Sequence, residues 1–489
     1  MTSSDSLETT SRPGLRRVAI DPLTRVEGHG KVTLLLDEEG HVQQARLHIV
    51  EFRGFEVFIQ GRPYWEVPVT VQRLCGICPV SHHLAASKAM DRIVGVDELT
   101  PTAEKVRRLM HYGQILQSHA LHFFHLSSPD LLFGFDSEVA RRNIVGVAAA
   151  HPDLARRGVL LRRFGQEVIR ITAGKRIHGT GSIPGGVNRS VTDAEREELR
   201  AQVGQVVDWS REAVQLVRRL FEQNLEMYRD FATFPAHGLQ LVREDGALDL
   251  YHGGLRARSS SGGTIFDHVD YSTYWEQVFE EVKPWSYMKF PYLRLIGPEE
   301  GWYRVGPLTR VTGCDFIPSP LAEAERRDFL AFDGGSAARA TLGFHWARMI
   351  EMLHAAEVIA GLLDDPDISG GDLVRRGERR GRGVGVLEAP RGTLIHHYRV
   401  DEQDMVVRAN LIVSTTHNNE AMNRAVREVA RRYLDGRQLT EGLLNHIEVA
   451  IRAFDPCLSC ATHALGQMPL SVELLDADGS RLDQLVRDQ

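Results

Sequence analysis

The 489-residue sequence predicts an α+β fold, mainly helical, with long helices in the middle of the chain and short strands around them. Three observations carry that reading. Apolar residues recur at helical spacing after Pro101, after Thr192 and over residues 337–363. Residues 18–51 instead alternate apolar and polar, the period of a strand. Two CxxC pairs, Cys75-Gly76-Ile77-Cys78 and Cys457-Leu458-Ser459-Cys460, stand 457 − 75 = 382 residues apart. If both face one metal, the two ends meet, and the chain is a single interlocked domain over 18–463.

Taken in order, residues 1–17 are rich in Ser and Thr and are expected to be disordered. Strands follow over 18–21, 31–37 and 41–51, the last two joined by a Glu38-Glu39-Gly40 turn into a hairpin. A helix starts after Pro79, which places the first CxxC at its N-terminus, where the helix dipole favours thiolates. Pro101 suits a first helical position, and the helix it opens runs to about His125. Thr192 and Glu195 form a capping box for a helix that can reach Phe231. Another helix spans 337–363 and stops before Asp365-Pro366. Residues 234–310 and 384–415 read as strands and loops, and the Arg/Gly-rich stretch 370–385 as an exposed loop. Helices near 419–434 and 440–453 lead into Asp455-Pro456-Cys457.

Composition narrows the function. A net charge of 58 − 65 = −7 with no basic stripe argues against nucleic acid. No apolar run reaches the ~18 residues that span a bilayer. Arg16-Arg17 leads into Val18-Ala19-Ile20-Asp21 rather than an apolar signal core, so a cytoplasmic chain is expected. In that setting five cysteines are too few for a disulfide scaffold, and CxxC implies metal or redox chemistry.

Four thiolates favour soft or borderline metals. A structural zinc staple usually draws its two pairs from ~15–20 residues apart, far less than the separation here. A thioredoxin-like dithiol needs one CxxC in a βαβ setting. Neither explains the flanking Arg73 and His82, or Asp455-Pro456 and His463.

Arg73-Leu-Cys75-Gly-Ile-Cys78-Pro-Val-Ser-His82 and Asp455-Pro-Cys457-Leu-Ser-Cys460-Ala-Thr-His463 resemble the two signature motifs of NiFe hydrogenase large subunits. Asp21-Pro-Leu-Thr-Arg25-Val-Glu27-Gly-His29, Phe52-Arg53-Gly-Phe-Glu56 and Glu388-Ala-Pro390-Arg391-Gly fit the same family, from about residue 18 to the C-terminus. Within it, the stretches around 50–56, 286–293 and 353–358, and the second CxxC, are most similar to the soluble, bidirectional, NAD-reducing branch. The resemblance implies the large-subunit fold, a central long-helix bundle with small peripheral β-sheets.

It also implies roles. Nickel takes four thiolates, with Cys75 and Cys457 terminal and Cys78 and Cys460 bridging to an iron that carries one carbonyl and two cyanides. Glu27 accepts a proton from the thiolate at Cys457. Arg391, after Pro390, lies over the open side of the metals, and Asp455 holds it. Thr415 bonds a cyanide, His82 bonds a bridging sulfur, and His83 is structural. Glu56, His463 and the Leu411 carbonyl are ligands of a magnesium ion. Where many relatives carry an acid before His119, this chain has Ser118. Cys314 lies outside the motifs and is a spare thiol. The signature ends at His463 in mature relatives, so a maturation endopeptidase is expected to cut between His463 and Ala464, removing residues 464–489 after nickel-insertion proteins have acted. With four cysteines committed and no GxGxxG after a strand, no Fe–S cluster or nucleotide site is expected in this chain. The resemblance implies that Fe–S clusters, FMN and NAD belong to partners, an iron–sulfur small subunit and diaphorase subunits. The rival readings are a related branch using NADP or a deazaflavin, a non-catalytic complex I-like scaffold, and a zinc-stapled interaction protein.

Overall fold

The computed structural model describes residues 16–434, 436, 440–462, 470–475 and 481–487. The region predicted to be disordered lies almost wholly outside the described residues, and so do His463 and Ala464. The first strand already begins at Arg16.

Strands Arg16–Ile20, Gly30–Leu36 and Val42–Ile49 make an antiparallel sheet in sequence order, as the alternation predicts. Its inward residues, among them Val32, Leu34, Leu47 and Ile49, are fully buried. One contiguous apolar core runs from Leu23 in this region to Ala461 at the other end of the chain.

The long helices form the centre. Thr100 accepts a hydrogen bond from Ala103 N at 3.1 Å, and the helix Pro101–Leu121 starts on the predicted proline. It lies against a second helix, Pro152–Ala173. The capping box at Thr192 is formed, with Glu195 N reaching Thr192 Oγ at 3.3 Å and Thr192 N reaching Glu195 at 3.1 Å. The helix it opens runs Asp193–Gln223, where Asn224 interrupts it before a short turn over Leu225–Asp230. The innermost helix, Gly343–Asp364, is apolar on nearly all sides, as expected of a helix wrapped by the rest of the protein.

That helix starts six residues later than its periodicity predicts. Ser336–Arg339 is a separate short helix, and Ala340 is extended. The Thr341 hydroxyl bonds Ala232 O at 2.6 Å and draws the chain off the helix axis. A second correction concerns 370–385. Residues 371–382 are largely exposed, but Arg382–Ala389 is a strand of a three-stranded antiparallel sheet with Gly392–Val400 and Val406–Ile412. Gly383 and Gly385 are buried against the Pro79–Ile93 helix, where an added Cβ would lie within 2.0 Å of Ala89 O or Ala85 O. These glycines mark close helix–strand contact rather than a loop. A four-stranded sheet contains Tyr303–Arg304, His237–Val242, Gly254–Arg258 and Thr264–Val269. Beyond the second CxxC, Leu470–Leu475 and Arg481–Arg487 pair as a hairpin.

A fully buried charge cluster ties the innermost helix to the three-stranded sheet. Arg310 meets Glu351 through two bonds of 2.6 Å and Glu388 at 2.8 Å, and also bonds Ala389 O at 2.7 Å. Burial pushes the Glu351 carboxyl up, but Arg310 and His119 prevail and hold it down at about 2. Because this value is depressed, the stabilisation is present above about pH 4.5 and fades as the pH falls towards 2. Replacing one member of such a cluster leaves uncompensated buried charge, at about 3–5 kcal/mol. Arg310→Met should therefore lower the denaturation midpoint at neutral pH by that amount of stability. An unchanged midpoint would contradict this account of the cluster.

Candidate metal centre

The four cysteines of the CxxC pairs converge. Their sulfurs all lie within 4.8 Å of one another and all four residues are buried. With metal–thiolate bonds of ~2.3 Å, sulfurs gathered this closely can share metal ions after small shifts. Cys75 and Cys457, from opposite ends of the chain, are 3.4 Å apart. The sulfurs of Cys457 and Cys460 are in bonding contact.

The first pair is built where a turn of 3-10 helix, Val71–Leu74, gives way to the Pro79–Ile93 helix. Cys75 is extended and Cys78 occupies the helix N-cap, as expected from Pro79. Amides at the helix start point at sulfur, with Cys78 N 2.9 Å and Ile77 N 3.3 Å from Cys75 Sγ. Burial pushes the Cys75 thiol up, yet hydrogen bonding from Cys78 and the Arg391 charge outweigh it, so Cys75 titrates below an ordinary thiol. Cys78, which donates to Cys75 at 2.7 Å and is buried, is held well above. The loop is clamped from the central bundle, where Gln114 and Gln117 bond Ile77 O at 2.9 and 2.7 Å. His83 bonds Pro68 O at 2.8 Å and accepts from Ser182 N at 3.0 Å, the structural part foreseen for it.

The second pair is held by the N-terminal segment. Glu27 and Cys457 form an isolated parallel β-bridge, with Leu458 N bonding Glu27 O at 2.9 Å. The half-buried Glu27 carboxylate lies against the thiolates. Its Oε2 is 2.9 Å from Cys457 Sγ and accepts from Ser459 N at 3.2 Å, while the Ser459 hydroxyl donates to Oε1. Gly28 has φ +83° and carries no side chain because a Cβ there would sit 2.6 Å from Ser459 N. Thr24 and Arg25 anchor the segment. Arg452 bonds Thr24 O at 3.1 Å, and Arg25 and Arg452 converge on Asp130 at 2.6 and 2.9 Å.

Arg391 reaches the thiolates from the turn after Pro390. Its Nε donates to Asp455 O at 2.6 Å and its Nη2 to the Asp455 carboxylate at 3.1 Å, while Nη1 is buried without a partner. Burial opposes the guanidinium charge, but Asp455 and the cysteines hold Arg391 more firmly protonated than usual. Asp455 supplies this support while the Ser118 hydroxyl is unpartnered, consistent with the loss of an acid at 118. A narrow cavity of about 10 Å3 is lined by Cys78, His82, Pro390, Arg391, Thr415 and Cys457, among others. Thr415 lies in a short helical turn, Ser414–His417, rather than the strand or loop expected, and its hydroxyl accepts from Cys457 N at 2.9 Å. His82 pairs with His396 at 3.1 Å, which bonds Tyr398 OH at 2.6 Å.

Of the second predicted metal position, Glu56 and Leu411 lie together, and His463 is outside the described residues. Glu56 is buried and accepts from Leu411 N at 2.8 Å. Thr462 O, one residue before His463, accepts from Arg53 N at 3.2 Å and Gly54 N at 3.4 Å. Lys289 lies 3.2 Å from Glu56 and 3.4 Å from Glu280, and burial raises the Glu280 carboxyl to about 7. Cys314 is buried outside both positions. Sequence reasoning missed Ser459, Gln114, Gln117, His396 and Glu280. Only Gln114 and Gln117 left a signal, as polar residues three apart on an otherwise apolar helix face.

Four buried cysteine sulfurs, with a carboxylate on one and an unsatisfied guanidinium beside the others, fit a redox metal centre better than a structural staple. A nickel-dependent hydrogenase family model matches residues 53–133 and 220–463, and a HoxL-like model matches 17–52. The beta subunit of the NAD-reducing hydrogenase HoxS of Cupriavidus necator is 49% identical over 487 residues, covering 96% of this chain and all of that relative. An F420-non-reducing hydrogenase chain of Methanothermobacter thermautotrophicus is 39% identical over 477 residues, with 96% and 100% covered. A crystal structure of an NAD+-reducing NiFe hydrogenase in the H2-reduced state superposes with a TM-score of 0.91 at 59% identity, covering 92% of this chain and 100% of that one. The chain belongs to the nickel-dependent hydrogenase family.

The Glu27–Cys457 bridge makes one expectation specific. Gly28→Ala forces strain of about 1–3 kcal/mol on the bridge. Both the thermal stability and the nickel content of the purified subunit should fall. A variant with full nickel content and unaltered stability would remove the bridge from the account.

Proposed function

We propose that this chain is the catalytic subunit of a soluble, cytoplasmic NiFe hydrogenase that reversibly cleaves dihydrogen. Its electrons pass through a separate iron–sulfur small subunit to a diaphorase carrying FMN, which reduces NAD. The observation that carries the proposal is the 2.9 Å contact between Glu27 and Cys457 Sγ inside the four-thiolate set. A zinc staple needs neither that carboxylate nor the unpartnered Arg391 Nη1, and a scaffold needs no buried thiolates. NAD is favoured over NADP or a deazaflavin by the likeness to two NAD-reducing enzymes at 49% and 59% identity.

Cys75, Cys78, Cys457 and Cys460 would hold the Ni–Fe centre as its four thiolate ligands. When bound, that centre supplies heterolytic cleavage of dihydrogen. The iron's carbonyl and two cyanides would lie on the side lined by Arg391 and Thr415. Arg391 Nη1 and the Thr415 hydroxyl supply donors there, and Pro390 and Leu394 exclude water. Arg391 keeps its charge because Asp455 grips its other two nitrogens, so the free one is held in one direction. His82, braced by His396, supports the Cys78 side.

Glu27 takes the proton. Its Oε2 is within hydrogen-bond distance of Cys457 Sγ, and Ser459 holds the carboxylate from both backbone and side chain, so it receives the proton without reorienting. Half-buried, Glu27 is placed to pass it outward.

Glu56, the Leu411 carbonyl and His463 would hold magnesium. In that region two carboxylates, Glu56 and Glu280, share the single ammonium of Lys289, and a second cation there would offset the burial that raises both. Residues 464–489 are read as an extension cut after His463 by a maturation endopeptidase, once nickel-insertion proteins have loaded the site. The family match ending at 463 supports this boundary.

Glu27→Gln should keep nickel and iron at wild-type content and lower turnover by ~10²-fold or more. Hydrogen–deuterium exchange of dihydrogen, measured beside metal analysis, checks it. Full activity in that variant would sink the proton role.

A further inference from the structure

A second cavity, of about 1080 Å3, shares no residue with the thiolate centre. It lies among the Phe234–Gly238 segment, the turn at 259–262, the Pro307–Gly313 helix and residues 334–339. At its wall Gln240 is 2% exposed, and neither its amide nitrogen nor its oxygen has a partner. The buried Ser336 hydroxyl is also unpartnered. Arg304 contributes an enclosed, unpartnered Nη1. Among the described residues Arg304 has no ion-pair partner; its guanidinium lies over the Phe234 ring, 5.7 Å from the ring centre. Burial alone acts on its charge, lowering it to about 10.

Buried polar atoms are ordinarily partnered, and a lone enclosed guanidinium is rarer still. Here three such groups face one space. Five arginines and two aspartates line the cavity in a chain whose net charge is −7. Asp230 pairs with Arg432 at 3.2 Å and Arg229 at 3.4 Å, Asp315 with Arg256 at 3.0 Å and Arg258 at 3.4 Å, and Arg326 with Glu323 at 3.4 Å, which leaves Arg304 and Arg339 without a carboxylate partner among the described residues. The excess is therefore positive, and it centres on a planar donor fork suited to oxyanions. The Gln240 amide is too recessed for a broad protein surface to reach.

We propose that this cavity binds a small ligand through an oxyanion head, phosphate or carboxylate, gripped by Arg304 with Gln240 and Ser336 completing its hydrogen bonds. The site is independent of the metal chemistry.

Isothermal titration calorimetry of the purified complex tests it, using inorganic phosphate and malonate separately at constant ionic strength set with sodium chloride. Saturable binding of one anion is expected, weakened ~tenfold or more by Arg304→Met and by Gln240→Leu. Phosphate alone binding identifies a phosphate head, and malonate alone a carboxylate. No heat from either at millimolar concentration overturns the proposal, as does binding that both variants leave unchanged. Arg304→Met removes a charge that has no ion-pair partner among the described residues and should not harm folding. Should it nevertheless not fold, Gln240→Leu decides.

Discussion

Everything at the centre depends on a bridge between residues at opposite ends of the chain. Glu27 and Cys457 pair as strands, and the same pairing sets the Glu27 carboxylate on the Cys457 sulfur. Four thiolates brought together carry mutual repulsion and lose hydration, so they gather only where the surrounding fold has already fixed their backbones. The Pro101–Leu121 helix fixes the first pair through Gln114 and Gln117, and the 24–28 segment fixes the second. Gly28 is the position at which the two chain ends touch without room for a side chain.

Buried charge organises the next layer. Arg391, on the Ala389–Gly392 turn, and Arg310, on the Pro307–Gly313 helix, serve different ends. Arg310 is saturated by Glu351, Glu388 and two neighbouring carbonyls, so it acts as a brace that positions the Ala389–Gly392 turn. Arg391 is held on one side only and keeps a donor unspent. Satisfied ion clusters hold geometry at little net gain, whereas an unsatisfied buried donor is tolerated where a ligand completes it. The same logic separates Arg256, paired with Asp267 and Asp315, from Arg304, which is paired with nothing among the described residues.

Much of this was legible in the sequence where the determinant is local. Pro79, Pro101 and the Thr192 capping box announce helix starts, and alternation announces the first sheet. The cysteine pairs and their flanking motifs announce the centre, with Glu27, Arg391 and Asp455. What local pattern cannot carry is the identity of a partner hundreds of residues away. His396 beside His82, and Glu280 and Lys289 beside Glu56, left no periodic trace. The late start of the Gly343–Asp364 helix depends on a hydroxyl bond from Thr341 to Ala232, and apolar spacing alone ran through it. Gly383 and Gly385 read as loop residues because small size signals flexibility in sequence and close contact in structure. Ser459 bears on Glu27 only once the chain ends have met.

The central claim is that these four thiolates hold a nickel–iron pair rather than zinc. An infrared spectrum of the complex purified from its native host, taken with nickel and iron analysis, tests it most directly. The account predicts one carbonyl and two cyanide stretching bands with nickel and iron in equal amounts. Zinc at the thiolates of a fully processed protein, with no such bands, would contradict it.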